Sequence, residues 1–229
     1  MGIAACGTPP SVMPGADADT DTSTRPTPPG DASTDTGPRV DATVDAGDGG
    51  ASTARFCPAF IDSGLYTRPT RVVSVTVSDG NLVSALEDAL DGDEILIEPG
   101  TYQIDQYAIN ITASVTIRGA TGNRDDVVLR GAGYATGGET LMVRAPDVAI
   151  ADLSLTNMRN HAISLKPGAD RATIYNVHLY DVGTQHIKGS AGPFRDGLIA
   201  CSSIGYTEGG AQGDYINGID IHRAIDWTI

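Results

Sequence analysis

Apolar residues begin to recur in an ordered way only from residue 78. Leu82, Val83, Leu86 and Leu90 fall at helical spacing behind Ser78-Asp79-Gly80-Asn81, whose short polar side chains suit a helix start. The spacing predicts one short amphipathic helix ending at Asp91-Gly92-Asp93. Glu94-Ile95-Leu96-Ile97-Glu98 then reads as a strand, and Pro99-Gly100 as a turn. Everything after it consists of short β-rich runs separated by Gly, Asn and Asp.

Those runs repeat. Val115-Thr116-Ile117, Val148-Ala149-Ile150, Ala172-Thr173-Ile174, Gly197-Leu198-Ile199 and Trp227-Thr228-Ile229 align, with 33, 24, 25 and 30 residues between successive isoleucines. The longer spacings hold Gly-rich insertions, Gly131-Ala132-Gly133 and Gly209-Gly210-Ala211-Gln212-Gly213. Ile150, Ile174 and Ile199 are each followed by a small polar residue and a second apolar run: Asp152 before Leu153 and Leu155, Asn176 before Val177 and Leu179, Cys201 before Ile204. Small polar residues at such corners can hydrogen-bond along a stack. A third strand begins 13 residues after the first, at Ile163 and again at Ile187. Three short strands per repeat of about 24 residues predict an all-β, right-handed parallel β-helix of about five coils with an N-terminal capping helix.

The pattern resembles the right-handed parallel β-helix superfamily that includes pectate lyases and polygalacturonases, over residues 78 to 229. Asp93 to Tyr102 looks like that superfamily's entry strand after its capping helix, and Val115 to Leu129 like its first full coil. Asn217-Gly218-Ile219-Asp220-Ile221-His222 is similar to a segment of bacterial β-helix repeat proteins. The resemblance implies the fold and a polysaccharide partner; it does not choose an activity, because this fold hosts lyases, hydrolases, esterases and inert adhesins. The sequence stops inside a strand at Ile229, so further coils are expected beyond it.

Composition changes the picture upstream. Residues 7–55 hold seven prolines, nine threonines, eight aspartates and no aromatic residue, which predicts a disordered linker ahead of a β-helix domain at 56–229. Residues 1–6 end in Ile3-Ala4-Ala5-Cys6, which resembles a bacterial lipobox. That resemblance implies acylation of Cys6 and a cell-surface or extracellular address. The charged and apolar regions of a signal peptide do not precede it here, so the reading requires a start further upstream; the alternative is an accidental match. Cys57 and Cys201 either pair or stand as two small unpaired residues, and spacing does not decide between them. Three scattered Cys and four scattered His show no metal-ligand spacing, and no cofactor motif is evident.

The formal charge is −14, from 29 acidic and 15 basic residues, which excludes nucleic acid as the expected partner. No apolar run approaches the ~20 residues of a membrane span, so a membrane enters only through a lipid anchor at Cys6. Within 56–229 the balance is 12 basic against 21 acidic residues, so a polyanionic substrate would need Ca²⁺ or a local basic patch.

Such a patch exists in the repeat. Aligning Ile163, Ile187 and Ile219 sends Ser164, Lys188 and Asp220 outward in one column, and Lys166, Ser190 and His222 outward in the next. Both lysines of the chain therefore share one face with a His and an Asp. A uronate-polymer lyase needs a base and a cation beside the sugar carboxylate. Lys188 is the expected base, Lys166 or Arg223 the carboxylate holder, and His222 an assistant. The alternative is that Lys188 and Asp220 form a surface ion pair and His222 bonds within the stack. Glycoside hydrolysis through Asp214, Asp220 and Asp226 is the competing chemistry. A passive glycan-binding adhesin and a purely structural module are the non-enzymatic readings. The expected groove walls are the loops 189–195 and 208–214, while His178, between inward Val177 and Leu179, is expected to face solvent and His161 carries less weight.

Overall fold

The computed structural model describes residues 57–134, 138–207 and 216–229. The linker 7–55, Cys6, the loop 208–214 and Asp214 lie outside the described residues.

Three stacks of short parallel strands form the domain. The first holds Arg71–Val75, Asp93–Ile97, Thr116–Gly119, the leading parts of Ala149–Met158 and Thr173–Val182, and Leu198–Ala200. The second holds Gly100–Ile104, Val127–Gly131, the trailing parts of the two ten-residue strands, and Ser203–Gly205. The third runs from Ile109–Ile111 through Leu141–Val143, Ile163–Leu165 and Ile187–Gly189 to Ile219–Ile221. The described residues thus form an all-β, right-handed parallel β-helix of about five turns, with almost no helix among them. The right-handed course is the one a twisted parallel sheet imposes on its crossovers. Among the described residues no helix is long and apolar enough to cross a membrane.

The alignment of isoleucines is the axis of the core. Ile117, Ile150, Ile174 and Ile199 pair rung on rung and are at most 5% exposed. Leu129, Leu155 and Leu179 do the same in the second stack, and Leu141, Ile163 and Ile187 in the third. Burying each such side chain contributes about 1.5–3 kcal/mol, and the repeat delivers one per strand. Gly189 is the gap in this pattern. A Cβ there would lie 2.7 Å from Ile221 Cγ2 and 3.0 Å from Phe194 Cε2, so Ile221 and the buried Phe194 ring together fill the space that a side chain at 189 would take.

The corners take the residues that tolerate a left-handed backbone. Asp152, Asn176 and Cys201 have φ of 54°, 49° and 54°, a region Asn and Asp enter at lower cost than most residues. Asn176 Nδ2 donates to Asp152 Oδ1 at 2.7 Å, one rung of the expected ladder. Cys201 leaves the ladder for a disulfide with Cys57, with Cα atoms 5.6 Å apart.

Three local features differ from the sequence pattern. The helix is only Leu82–Glu87; Leu82 and Leu86 are buried against the first coil, but Leu90 falls beyond its end and is exposed. The stack begins earlier than residue 78, since Arg71–Val75 pairs with Asp93–Ile97. Much of the second coil's extra length lies in the loop 120–126, where Arg124 donates to the carbonyls of Val177 and Cys201.

Ahead of the first strand, residues 57–69 form a strap across the outer face of the first stack. Cys57 bonds to Cys201 in the fifth coil, and the Pro58 carbonyl accepts from Tyr175 of the fourth. Phe60 N donates to the Asp152 carboxylate of the third. Tyr66 lies over Arg118 of the second and donates to Glu94 of the first at 2.7 Å. Phe60 packs with Tyr66 and Tyr175 over outward-facing Ala149 and Ala151, whose small side chains leave room for the ring. Buried Glu94 is satisfied by Arg118 Nη2 at 3.0 Å as well as by Tyr66.

Two outcomes follow for stability. Cys57→Ser is expected to lower unfolding free energy by about 2–5 kcal/mol, read by denaturant melts under oxidising conditions; an unchanged midpoint would remove the disulfide as a staple. Phe194→Ala is expected to cost about 3–5 kcal/mol because Gly189 leaves nothing to refill the hole; a loss under 1 kcal/mol would contradict that packing.

Candidate functional site

Outward of the third stack, the residues just before the strands and those just after the leading isoleucines Ile187 and Ile219 converge on one cleft. Asn160, His161, Thr184, Gln185, Lys188, Asn217, Asp220 and His222 line it, and its volume is about 460 Å³. Lys188 and Asp220 are rung-to-rung partners in the strand pairing, so their side chains must lie side by side. Lys188 Nζ donates to Asp220 Oδ2 at 2.5 Å, and His222 Nε2 lies 3.1 Å from Asp220 Oδ1 and 3.4 Å from Lys188 Nζ. Lys188 holds the Asp220 carboxyl below the usual carboxylate range, chiefly through that hydrogen bond.

A second ionic cluster lies on the same face. Lys166 Nζ is 2.9 Å from Glu139 Oε2, and Glu139 Oε1 is 3.9 Å from His161 Nε2. The side chains of Lys166, Glu139 and His161 are each less than one-fifth exposed. Burial pushes the His161 imidazole below its ordinary value; the charges of Lys166 and Lys188 push the same way, and Glu139 opposes them. His186, one strand-step inward, is also lowered by burial.

Lys188, Asp220, His222 and Lys166 therefore share a face, as the aligned columns place them. Arg223 turns away: it has a left-handed backbone (φ 58°), is exposed, and donates to the Gly192 carbonyl. Asp226 is exposed at another corner. The loop 189–195 does not line the cleft, because Phe194 draws it back into the core. The nearer wall is Asn160-His161 and Thr184-Gln185. His178 is one-third exposed beside Asp125.

Glu139 and His161 are the cluster members that the column reading passed over. They stand two residues ahead of the aligned Leu141 and Ile163, where Gln185 and Asn217 stand ahead of Ile187 and Ile219. Extending the aligned register backward by two positions would have found this polar column. Another cleft of about 400 Å³ lies beside the strap. Among its charged lining residues, Asp93 is paired with Arg71, and Asp147 with Arg171. Among the described residues, no group of three His, Cys, Asp or Glu side chains is placed to hold a metal ion. No protein-family model, curated protein or solved structure matches the chain.

The two buried histidines set a pH dependence. Their folded values are lowered, so protonation favours unfolding. Stability is level above the ordinary imidazole value of about 6.5 and falls as pH drops below it. Burial raises the Asp152 carboxyl, which works the opposite way as pH falls. The test is therefore the difference between wild type and His186→Gln in thermal melts from about pH 8 to 5. The wild type is expected to lose more stability on acidification, and equal losses would contradict it.

Proposed function

We propose that this β-helix is an exported, pectate-lyase-like protein that acts on a polysaccharide, cleaving a uronate polymer by β-elimination at the third-stack cleft. The observation that carries the reading is that the only two lysines in the chain stand on one partly buried face beside two histidines. An ammonium has three donors. Asp220 takes one from Lys188 and Glu139 takes one from Lys166, leaving N–H groups for a sugar carboxylate. The amides of Asn160, Gln185 and Asn217 and the Thr184 hydroxyl supply the directional contacts that sugar hydroxyls need. Rungs about 4.8 Å apart let a polymer lie across several coils.

A cross-coil disulfide belongs to an oxidising compartment, which supports an extracellular address. Acylation of Cys6 would then attach the protein to the cell surface, the one membrane contact in this reading. The partner is the polysaccharide, and nucleic acid has no part in it.

Incubation with polygalacturonate, alginate and a neutral glucan tests the reaction. Unsaturated, ultraviolet-absorbing products are expected from a uronate polymer and none from the glucan. Lys188→Ala is expected to abolish turnover while the domain stays folded, because His222 remains 3.1 Å from the Asp220 carboxylate. Absence of turnover on every uronate polymer would refute the lyase reading, and unfolding of Lys188→Ala would make the residue structural.

A further inference from the structure

The cleft holds one group whose proton position follows from its neighbours. His161 Nδ1 is 3.3 Å from the Gln185 carbonyl oxygen, which can only accept, and 3.1 Å from Thr184 Oγ1. Thr184 gives its own hydroxyl hydrogen to the Asn160 carbonyl at 2.7 Å, so toward the ring it also accepts. Two acceptors at Nδ1 hold the ring proton there and leave a lone pair on Nε2. Glu139 Oε1 lies 3.9 Å from Nε2, beyond hydrogen-bonding reach, and pairs with Lys166, so it takes no proton from that nitrogen. The ring lines the cleft in which Lys188 also stands.

We propose that His161 Nε2, rather than Lys188, is the base of this site, and that Lys188 holds the substrate carboxylate; this rests on the lyase reading above. The proton on the sugar carbon beside the carboxylate moves to Nε2. The C–H electron pair becomes the new C=C bond, and the glycosidic C–O bond breaks with its electrons on the leaving oxygen. That oxygen takes the proton back from the imidazolium, which restores the neutral ring without any co-reactant. Lys188 stabilises the negative charge that builds on the carboxylate as the C–H bond opens, and its own placement against Asp220 suits a fixed cation. The groups that face His161 are Glu139, Lys166 and Lys188, with Asp220 and His222 beyond them. Burial, with both lysines and against Glu139 and the Gln185 carbonyl, lowers the imidazole below its ordinary value and so favours the uncharged ring that can accept a proton.

Turnover of a uronate polymer by the wild-type chain is the first measurement. His161→Ala is expected to lower kcat/KM by about 10²–10⁴-fold, with part of the loss restored by added imidazole. The acid limb of the wild-type pH profile is expected below the ordinary imidazole value of about 6.5. His161→Gln is measured alongside, and thermal melts of both variants separate lost chemistry from lost folding. Turnover that survives in folded His161→Ala within about tenfold overturns the base while leaving the lyase reading intact. Absence of wild-type turnover overturns both. Nitrogen NMR of the histidine-labelled protein reads the tautomer without substrate: a proton on Nδ1 is expected, and a proton on Nε2 overturns the assignment.

Discussion

Parallel pairing forces each coil to set an aliphatic side chain directly beneath the one above it, and the rest of the molecule depends on that constraint. Ile117, Ile150, Ile174 and Ile199 cannot slip by one residue without turning a whole strand's apolar set outward. With the inward positions held, the residues between them are also held, in outward columns of known spacing. Lys188 meets Asp220 because both follow an aligned isoleucine by one position. His161 and Gln185 reach the same cleft because both precede one by two. The site is thus a by-product of core register, assembled from residues more than twenty positions apart in sequence.

The cleft reconciles two features that pull against each other. The chain is strongly acidic, yet this face displays its only ammonium groups. Each lysine faces a carboxylate within hydrogen-bonding reach, Lys166 with Glu139 and Lys188 with Asp220, so the face carries fixed charge without a net excess. Part-buried pairs of this kind hold long side chains in one place, and an incoming anion meets donors already oriented. His161 is the odd member, because burial disfavours its charged form amid four charges.

Periodicity made the coil, the corners and the Lys188–Asp220 contact legible, since each depends on spacing along the chain. It did not reveal the strap, because Cys57, Pro58, Phe60 and Tyr66 follow no repeat and find partners 28 to 144 residues away. Arg71–Val75 also escaped, although Val73 and Val75 alternate, because the helix between it and the next strand hid the recurrence. Arg223 was misread for another reason. Its left-handed backbone swings the side chain to Gly192, and a flat two-residue alternation does not foresee a corner. His161 carried little weight in the sequence because it lies in the turn before a strand, where the alternation within strands does not reach, whereas the cleft takes that turn as well.

The strap also determines how the domain would bear a load. A pull on the chain ahead of Cys57 does not reach the first strand directly. The sulfur–sulfur bond passes it to Cys201, so tension enters at the fifth coil and the segment between Cys57 and Arg71 lies slack. With the bond cut by a thiol, the same pull would fall first on the strap's contacts at Pro58, Phe60 and Tyr66. Once these gave way it would reach Arg71–Val75, an edge strand from which the solenoid can peel one rung at a time.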